Sequence, residues 1–489
     1  MANSENVSMK IRESVALTFD DVLMVPQYSA ISSRGAVSTT TRLTPKIECA
    51  IPIVSANMDT VTEASMAVVM ARTGGLGIIH RFLSPERQAQ EISRVKRAES
   101  FVVAEPLTVS AGTPLEAALE RMKEADVSSL LIIDADGRLA GILTNRDLSL
   151  APDVQGTVDG LMTPLNKLVT GKSDITLSEA RTLLHEHRVE KLPLIGEDGR
   201  LTGLITAQDI LKLQRDPEAT KDDRGRLRVG AAIGVRASDV ERAGACLEAG
   251  ADLLVLDIAH GHSKLAIDMV KRLKSNFPDA EVMAGNVATP QGVRDLAEAG
   301  AESVKVGVGS GSICTTRIVT GAGFPQLSAV QECAIAAAEC GATLISDGGI
   351  RNSGDITKAL AAGADAVMLG SLLAGTTESP GAAVVRDGRR YKGVRGMASL
   401  TANVGRREVE QGEVDPSDWE RVVPEGVEAV VPYRGPVRDI LHLLVGGLRS
   451  GLTYSGASTL GELRARAEFV RITGAGMAES RHHDVDKLS

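Results

Sequence analysis

Eight short apolar runs separated by helix-like segments constrain the fold of this chain more than any other feature of its sequence. The runs are Ile51–Ala56, Gly75–His80, Val229–Gly234, Leu253–Asp257, Glu281–Gly285, Ser303–Gly307, Thr343–Asp347 and Ala366–Gly370. Runs of this length bounded by turn residues are typical of strands in βα units. Eight such units predict a closed parallel sheet, so we expect an α/β protein with a (β/α)8 (TIM) barrel.

Several of these runs end in polar or glycine residues. The ends are Ser55-Ala56-Asn57, Asp257, Asn286, Asp347-Gly348-Gly349 and Gly370-Ser371. Any one of them could be an ordinary turn residue. The carboxyl ends of all barrel strands lie on one face, however, and that face is where such folds bind ligands. The set therefore predicts a binding site at this end of the barrel.

The segment between the second and third runs contains an internal repeat. Residues 127–147 match residues 189–209 with a constant offset of 62 positions. Each copy predicts a helix, two strands joined at an Asp-Gly turn, and a Thr-x-x-Asp turn that begins another helix. We therefore predict an inserted domain at 95–220, with the barrel formed by residues 1–94 and 221–489.

Residues 307–317 form a glycine-rich loop with a lone cysteine near its end: Gly-Val-Gly-Ser-Gly-Ser-Ile-Cys-Thr-Thr-Arg. Its three alternating glycines allow unusual backbone dihedrals and a close approach to a ligand. A buried structural cysteine is the alternative, because free cysteine is among the most buried residue types. A glycine loop with polar neighbours is a poor core environment, and we interpret Cys314 as a nucleophile.

Composition and charge narrow the class of protein. The net charge is -9 and no dense Lys/Arg block occurs, so nucleic acid is not expected as a partner. The five cysteines, at 49, 246, 314, 333 and 340, lack the spacing of a metal site or a disulfide framework, which fits a reducing cytoplasm. No signal peptide or membrane-spanning apolar run is visible. We predict a cytoplasmic enzyme that does not act on membranes.

Further motifs occur around the cysteine loop: Leu17-Thr-Phe-Asp-Asp-Val-Leu23, Ser55-Ala-Asn-Met-Asp-Thr-Val-Thr-Glu63, Asp257-Ile-Ala-His-Gly-His-Ser263, Gly285-Asn-Val287, Ser346-Asp-Gly-Gly-Ile350 and Gly446-Gly-Leu-Arg449. In this order, and over essentially the whole chain, they resemble the family of IMP dehydrogenase and GMP reductase. The inserted repeat resembles a tandem CBS (Bateman) domain, a regulatory module that often binds adenine or guanine nucleotides.

The resemblance implies a covalent mechanism, in which the Cys314 thiolate adds to C2 of a purine nucleotide and the adduct exchanges hydride with a nicotinamide cofactor. It implies substrate contacts at Ser55, Met58, Ser312, Asp347, Gly348, Gly349, Gly370, Ser371, Gly396 and Met397. Cofactor contacts are implied at Asp257, Asn286, Gly307 and Gly309.

The family also implies regulation and assembly. Ribose contacts of a regulatory ATP or GTP are expected at Thr144, Asp147, Thr206 and Asp209, although Thr-x-x-Asp is also an ordinary helix cap. A candidate K⁺ site would use Gly309, Gly311 and Cys314 together with Glu479, Ser480 and Arg481 of a neighbouring subunit. Barrels of the family form homotetramers, which CBS pairing can stack into octamers.

The segment 397–425, here called the flap, distinguishes the two enzymes of the family. By resemblance, a dehydrogenase activates water with an Arg-Tyr pair in the flap, whereas a reductase uses a Thr and a Glu to protonate departing ammonia. Thr316 and Glu425 are present, although this Glu also occurs in bacterial dehydrogenases. The flap contains no Arg-Tyr dipeptide. Without such activation, commonly worth about 10²–10⁴-fold, hydrolysis of the adduct would be slow.

These features favour an NADPH-dependent GMP reductase that uses Cys314, Thr316 and Glu425 as catalytic residues. IMP dehydrogenase, which would use NAD, is the alternative, because the CBS insertion and the tail Glu479-Ser-Arg-His-His-Asp484 are more typical of dehydrogenases. A catalytically weak nucleotide sensor is a third hypothesis, against which the three intact catalytic residues argue. Val394 departs from both subfamilies, which usually have a phosphate-contacting Tyr there. The spacing of basic residues alone identifies no pocket for the 2′-phosphate that distinguishes NADPH from NADH.

Overall fold

The computed structural model describes residues 11–99, 102–103, 106–125, 127–149, 156–213, 216–411 and 423–480. The chain divides into two compact units. One comprises Met1–Lys96, Glu218–Thr220 and Arg228–Ser489, and the other comprises Arg97–Pro217 and Lys221–Leu227. Within the described residues, no helix is both long enough and apolar enough to cross a membrane.

The first unit is a closed barrel of eight parallel strands. They are β1 (Ile53–Ser55), β2 (Leu76–Ile79), β3 (Gly230–Ile233), β4 (Leu253–Asp257), β5 (Val282–Val287), β6 (Ser303–Val306), β7 (Thr343–Asp347) and β8 (Ala366–Leu369). Each strand pairs with the next along the chain, and β8 pairs with β1 to close the barrel. The predicted (β/α)8 barrel is confirmed, and every predicted run coincides with its strand to within two residues at each end.

A helix follows each strand of the barrel. These helices are α1 (Ala64–Arg72), α2 (Pro85–Ala98), α3 (Asp239–Glu248), α4 (Lys264–Asn276), α5 (Pro290–Glu298), α6 (Gln326–Cys340), α7 (Ser353–Ala361) and α8 (Val437–Tyr454). Polar residues of the strand-to-helix loops cap three of them: Ser263, Thr289 and Asn352 accept hydrogen bonds from amides of the first turn. Some of the polar loop residues thus stabilise helices rather than bind ligands.

A β-hairpin formed by Thr41–Thr44 and Ile47–Cys49 closes the amino-terminal end of the barrel. Its Leu43 and Ile47 are fully buried and belong to one apolar core with barrel side chains such as Leu76 and Ile345. Removing this much apolar surface from water is strongly stabilising. The barrel interior is consequently packed at this end, and its ligand-binding face is the opposite one.

Strand β5 carries an irregularity that the sequence did not predict. Gly285 pairs with Lys305 and Val287 pairs with Val306, so Asn286 has no partner residue on β6. An extra residue of this kind re-aims its side chain and is common beside functional sites. It explains why β5 continues two residues beyond the predicted run while still placing Asn286 at the binding face.

Other elements surround the barrel. Strands Val22–Met24 and Phe469–Arg471 pair with each other, and strands Val384–Arg386, Arg389–Arg395 and Glu428–Pro432 form a three-stranded antiparallel sheet. Within the described residues of this unit, the remaining helices are Phe19–Asp21, Arg34–Ala36, Thr316–Thr320, Leu400–Gln411, Leu460–Arg466 and Gly474–Glu479.

The second unit contains two four-stranded sheets, each built around the two longer strands of one copy of the repeat. Their strands are Thr163–Pro164, Leu139–Thr144, Ser129–Ile133 and Thr108–Ser110 in one sheet, and Gly171–Lys172, Lys191–Ile195, Leu201–Thr206 and Val102–Val103 in the other. Helices Leu115–Glu124 and Leu177–Glu186 occupy equivalent positions. Shorter helices are Asn145–Ser149, Val158–Gly160, Leu165–Lys167 and Ala207–Leu213.

The two copies agree down to the details of strand pairing. Ile132 pairs with Gly141 in the first copy and Leu194 pairs with Gly203 in the second, each beside a register irregularity. Both pairs and both helices obey the 62-residue offset of the sequence. A shared core that includes Leu131 and Leu204 joins the copies, so each copy buries apolar surface of the other.

Candidate functional site

A cavity of about 680 Å³ lies at the carboxyl ends of the barrel strands. Most of the residues predicted for catalysis, substrate and cofactor line it: Met58, Asp257, Asn286, Gly307, Gly309, Cys314, Thr316, Asp347, Gly348, Gly396, Met397 and Glu425. These residues come from five barrel strand ends, from the flap and from Gly396, which precedes the flap. Their convergence follows from the barrel, because its strands all end on this face.

Five predicted substrate contacts, all within the described residues, do not line this cavity. Ser55 is fully buried and its hydroxyl accepts a hydrogen bond from Thr62, at 2.8 Å between the oxygens. Ser312 is exposed, and the Ser371 carbonyl accepts a hydrogen bond from Arg434 at 2.9 Å. The others are Gly349 and Gly370. Their assignment as substrate contacts remains a prediction.

A chain of hydrogen bonds links the candidate nucleophile to a carboxylate. The Cys314 thiol donates to the Thr316 hydroxyl at 3.2 Å, and this hydroxyl donates to Glu425 Oε2 at 2.8 Å. Cys314 is partly exposed, unlike Cys49, Cys246 and Cys333, which are buried. A thiol, a hydroxyl and a carboxylate in series can pass a proton between the sulfur atom and the carboxylate.

Backbone pairing between the cysteine loop and the flap holds this chain in place. The Thr315 amide donates to the Glu425 carbonyl at 2.9 Å, and the Val427 amide donates to the Ile313 carbonyl at 3.0 Å. Gly426 lies between these contacts, and a Cβ there would lie 3.2 Å from the Cα of Gly396. A side chain at Gly426 would therefore push Gly396 away by a few tenths of an ångström.

A buried lysine that the sequence analysis missed connects Asp257, a predicted cofactor contact, with Asp347, a predicted substrate contact. Lys305 Nζ lies 2.8 Å from Asp257 Oδ1 and 2.8 Å from Asp347 Oδ2, and it also contacts Asn286 Oδ1. The Lys305 side chain is only 3% exposed. The Asn286 amide donates to Asp347 Oδ2 at 2.9 Å. One cation thus binds both carboxylates, and the unpaired Asn286 of β5 completes the network.

The charges of this network stabilise one another. Burial alone would lower the pKa of Lys305, but the carboxylates of Asp257 and Asp347 raise it well above its ordinary value. Burial alone would raise the pKa of Asp257, but the Lys305 ammonium holds it below its ordinary range. Both groups are therefore charged at neutral pH, and Asp257 can accept hydrogen bonds from a ligand hydroxyl.

Gly307 brings the cysteine loop against β7. Its φ is +155°, and a Cβ there would lie 1.9 Å from the carbonyl oxygen of Asp347. Only glycine permits this approach. The contact fixes the start of the loop beside Asp347, so the loop leaves β6 next to one of the two carboxylates that Lys305 binds.

The remaining predicted residues occupy separate places. Val394 is buried and pairs with Ala429 in the three-stranded sheet. In the K⁺ prediction, Glu479 and Ser480 lie at the end of the helix Gly474–Glu479, and Arg481 lies outside the described residues. The flap residues that stand in place of the Arg-Tyr pair follow Gly405 in the helix Leu400–Gln411, and residues 412–422 lie outside the described ranges.

In the second unit, the Thr144 hydroxyl and amide both donate to Asp147 Oδ2, at 2.7 and 2.9 Å. The predicted capping role of this Thr-x-x-Asp turn is therefore present in the structure. Thr206 ends the equivalent strand of the second copy, and Asp209 follows in the helix Ala207–Leu213. The equivalent strand ends of both copies thus carry the predicted ribose contacts.

The closed barrel and the hydrogen-bonded cysteine, hydroxyl and carboxylate that line its cavity are typical of a TIM-barrel enzyme that uses a thiol in its active site. The sequence model of the IMP dehydrogenase / GMP reductase domain matches residues 16–483. The chain belongs to this family, which confirms the resemblance, and it is an oxidoreductase.

Inosine-5'-monophosphate dehydrogenases and GMP reductases are similar to this chain at nearly the same sequence identity. The chain is 52% identical over 470 residues to inosine-5'-monophosphate dehydrogenase of Nitrosopumilus maritimus, covering 96% of this chain and 98% of the relative. It is 50% identical over 481 residues to GMP reductase of Leishmania major, covering 96% and 97%. Sequence identity therefore does not separate the two activities.

Solved structures of a GMP reductase resemble this chain along nearly its whole length. A cysteine-to-alanine variant of GMP reductase from Trypanosoma brucei, in complex with guanosine 5'-monophosphate, has a TM-score of 0.84 and 47% identity, covering 97% of this chain and 98% of that one. The same enzyme in complex with guanosine 5'-triphosphate has a TM-score of 0.73 and 43% identity, covering 94% and 98%.

Proposed function

We propose that this protein is a GMP reductase, which converts GMP to IMP and ammonia with NADPH. The observation that supports this proposal most directly is the hydrogen-bond chain from Cys314 through Thr316 to Glu425. It offers a proton to a leaving amine, whereas the flap lacks the Arg-Tyr pair that would activate water. The GMP reductases of Leishmania major and Trypanosoma brucei, similar to this chain along their length, support the same reading.

The geometry suggests how the residues act in sequence. Glu425 accepts the Cys314 proton through Thr316, and the resulting thiolate attacks C2 of GMP. The same proton then returns through Thr316 to the departing amine, which leaves as ammonia. Asp347 accepts hydrogen bonds from the ribose of the nucleotide. After hydride addition to C2, the carbon–sulfur bond breaks with its electron pair on sulfur, IMP leaves, and the Cys314 thiolate takes up a proton from solvent before the next cycle.

The cavity also fits a nicotinamide cofactor. Asp257 is held ionised for ribose hydroxyls, and Asn286 is presented beside it by the irregularity in β5. When bound, NADPH supplies the hydride that the covalent adduct receives at C2. The K⁺ prediction rests on loop carbonyls at Gly309, Gly311 and Cys314, since hard cations take oxygen ligands, and no step of this mechanism depends on it.

One pair of assays tests the assignment. The purified protein is incubated with GMP and NADPH, and separately with IMP and NAD, while the absorbance of the reduced cofactor is followed. We expect consumption in the first reaction and no production in the second. IMP-dependent production would instead establish IMP dehydrogenase, the second candidate, which the 52% identical Nitrosopumilus maritimus relative favours. Retained nucleotide binding without either reaction would indicate a sensor.

The Thr316 hydroxyl should be needed for proton transfer. In Thr316→Val the isosteric side chain cannot connect Cys314 with Glu425, and we expect kcat for GMP reduction to fall about 10- to 100-fold, the effect of losing a hydrogen bond to a charged group. Thr316→Ser is the matched control, because it keeps the hydroxyl, and it should retain kcat within a few-fold. Equal kcat values for the two variants would contradict the proton relay.

We further propose that the second unit is a CBS module that binds ATP or GTP and regulates the barrel, within a homotetramer or octamer. The two copies place Thr144 with Asp147, and Thr206 with Asp209, at equivalent strand ends. The Trypanosoma brucei enzyme crystallised with guanosine 5'-triphosphate supports GTP as one regulator.

The regulatory role can be tested with an asparagine substitution. In Asp147→Asn, loss of the carboxylate should weaken GTP binding at this position about 10-fold or more, because charge-assisted hydrogen bonds to the ribose are lost. Isothermal titration of the full-length protein measures the change. Asp136→Asn, an exposed aspartate at the turn of the same copy, is the control and should bind GTP normally. Equal affinities would contradict this assignment.

A further inference from the structure

The two ends of the flap meet at one edge of the three-stranded sheet. Arg395 is the last residue of the strand Arg389–Arg395, and it pairs with Glu428, the first residue of the strand Glu428–Pro432. The flap, residues 397–425, begins two residues after Arg395 and ends three residues before Glu428. This pair is therefore where the regular sheet pairing stops and the flap begins.

The side chain of Arg395 binds the barrel. Its Nε donates to Asp59 Oδ2 at 2.6 Å, and its Nη2 donates to the same oxygen atom. The Asp59 side chain is only 7% exposed, and it lies in the loop between β1 and α1, directly after the cavity-lining Met58. A planar guanidinium held by two of its N–H groups has little freedom to turn. Arg395 therefore fixes the sheet edge to the β1–α1 loop.

The third nitrogen of the guanidinium binds the start of the flap. Arg395 Nη1 donates to Thr401 Oγ1 at 3.2 Å, in the first turn of the helix Leu400–Gln411. The hydroxyl and the amide of Thr401 both donate to Glu428 Oε1, at 2.8 and 3.0 Å. These bonds hold the pKa of Glu428 below its ordinary value, so its carboxylate is ionised at neutral pH. The segments that begin and end the flap are thus bound to each other.

Backbone hydrogen bonds extend this arrangement to the catalytic carboxylate. The Gly396 amide donates to the Val427 carbonyl at 3.0 Å, and the Glu425 amide donates to the Ala398 carbonyl at 2.9 Å. Residues 396–398 and 425–427 therefore remain paired beyond the sheet. Because the pairing reaches Glu425 itself, a shift at the sheet edge would also move its carboxylate.

We propose that Arg395 is a positioning residue for proton transfer. By binding Asp59 and Thr401 at once, it fixes both ends of the flap against the β1–α1 loop and places the Glu425 carboxylate within reach of Thr316. Arg395 is not among the described residues that line the cavity, so it acts on the reaction through other residues. The inference rests on the proposed function in taking Glu425 as the group that carries the proton.

A double-mutant cycle on kcat tests the proposal in the full-length protein. The four proteins are wild type, Arg395→Met, Glu425→Gln and the double variant. We expect Arg395→Met to lower kcat for GMP reduction about 10- to 100-fold, because a small misplacement of a catalytic group causes a loss of this size. In the Glu425→Gln background the same substitution should change kcat by less than about threefold, because no carboxylate is left to misplace. Equal losses in the two backgrounds would overturn the proposal.

Two further variants separate positioning from a general loss of stability. Thr401→Val interrupts the link to the flap but keeps the buried pair of Arg395 and Asp59. It should lower kcat about 3- to 10-fold, the effect of one lost hydrogen bond, at an unchanged thermal midpoint. Arg386→Met removes an exposed arginine of the same sheet and should keep wild-type kcat. Wild-type kcat in both Arg395→Met and Thr401→Val would contradict the positioning role.

Crystal structures of wild type and Arg395→Met provide a measurement that needs no turnover. Glu425 Oε2 lies 2.8 Å from Thr316 Oγ1, and we expect this distance to exceed about 3.5 Å in the variant, beyond hydrogen-bonding range. A retained hydrogen bond would overturn the proposal. If Arg395→Met does not fold, Thr401→Val replaces it in both measurements.

Failure of the proposed function would be recognised separately. If IMP with NAD proves to be the reacting pair, the assignment as a GMP reductase is refuted. The same four kcat values, measured in that reaction, then test Arg395. If neither pair reacts, the distance between Glu425 and Thr316 in the variant decides the role of Arg395.

Discussion

Replacing Cys314 with alanine is expected to abolish reduction of GMP by NADPH and any reaction of IMP with NAD. Both directions need a sulfur nucleophile at C2, and alanine cannot form the covalent adduct. Nucleotide binding should persist, because Asp347, Gly348 and Gly396 line the cavity independently of the thiol. Absorbance of the reduced cofactor measures turnover, and calorimetric titration with GMP measures binding.

Cys340 supplies the matched control for this experiment. It is exposed at the end of α6, away from the residues that line the cavity. Cys340→Ala should keep wild-type turnover, which shows that removing a reactive thiol as such is harmless. Surviving turnover in Cys314→Ala would refute covalent catalysis. Loss of both turnover and GMP binding would show that the substitution disturbs the site rather than the chemistry.

Replacing Lys305 with methionine is expected to destabilise the barrel and to weaken the binding of both the nucleotide and the cofactor. Methionine fills the space but leaves Asp257 and Asp347 facing each other without their shared cation. Removing one partner of a buried ion pair commonly costs about 3–5 kcal/mol. We expect a lower thermal midpoint, and higher KM values for nucleotide and cofactor together. Adding Asp257→Asn to Lys305→Met removes one unpaired charge and should recover part of the lost stability.

The pH dependence of stability distinguishes this charge network from simple packing. The folded pKa of Asp257 is depressed, so its contribution is present above about pH 3.9 and is lost as pH falls through the lower folded value. The folded pKa of Lys305 is raised, so its contribution is present below about pH 10.4 and is lost as pH rises through the higher folded value. Between these limits, the network gives wild type a constant contribution.

Lys305→Met should behave differently in that range. Without the cation, acidification toward pH 5 should stabilise the variant, because protonation of a carboxylate relieves the repulsion between Asp257 and Asp347. Chemical unfolding at several pH values measures the trend. A variant whose stability follows the wild-type curve, merely shifted by a constant, would indicate that Lys305 acts through packing alone.

The barrel could be predicted from the sequence because its signal is repetitive. Each strand is a short apolar run with a polar or glycine end, and strand boundaries such as Leu253–Asp257 coincide with the prediction. The repeat was equally easy to predict, because one offset of 62 positions relates its strands and helices. In both cases, the secondary structure that the local sequence pattern favours is also the one that the packed structure requires.

The missed features depend on contacts between distant residues. Lys305 stands inside an apolar strand, where a single lysine resembles an interruption, and its role requires Asp257 and Asp347 from two other strands. A charged residue in a buried strand was the available signal. The irregularity at Asn286 arises from the pairing of β5 with β6, which no local spacing encodes.

The hairpin at the amino-terminal end of the barrel has a consequence for access to the cavity. Because Leu43 and Ile47 fill that end with packed apolar side chains, no ligand can pass through the barrel from there. The cavity is lined by the opposite, carboxyl ends of the strands, so both reacting ligands enter and leave from the same face of the barrel. An apolar core far from the reacting atoms thereby determines which face of the molecule must remain open to solvent.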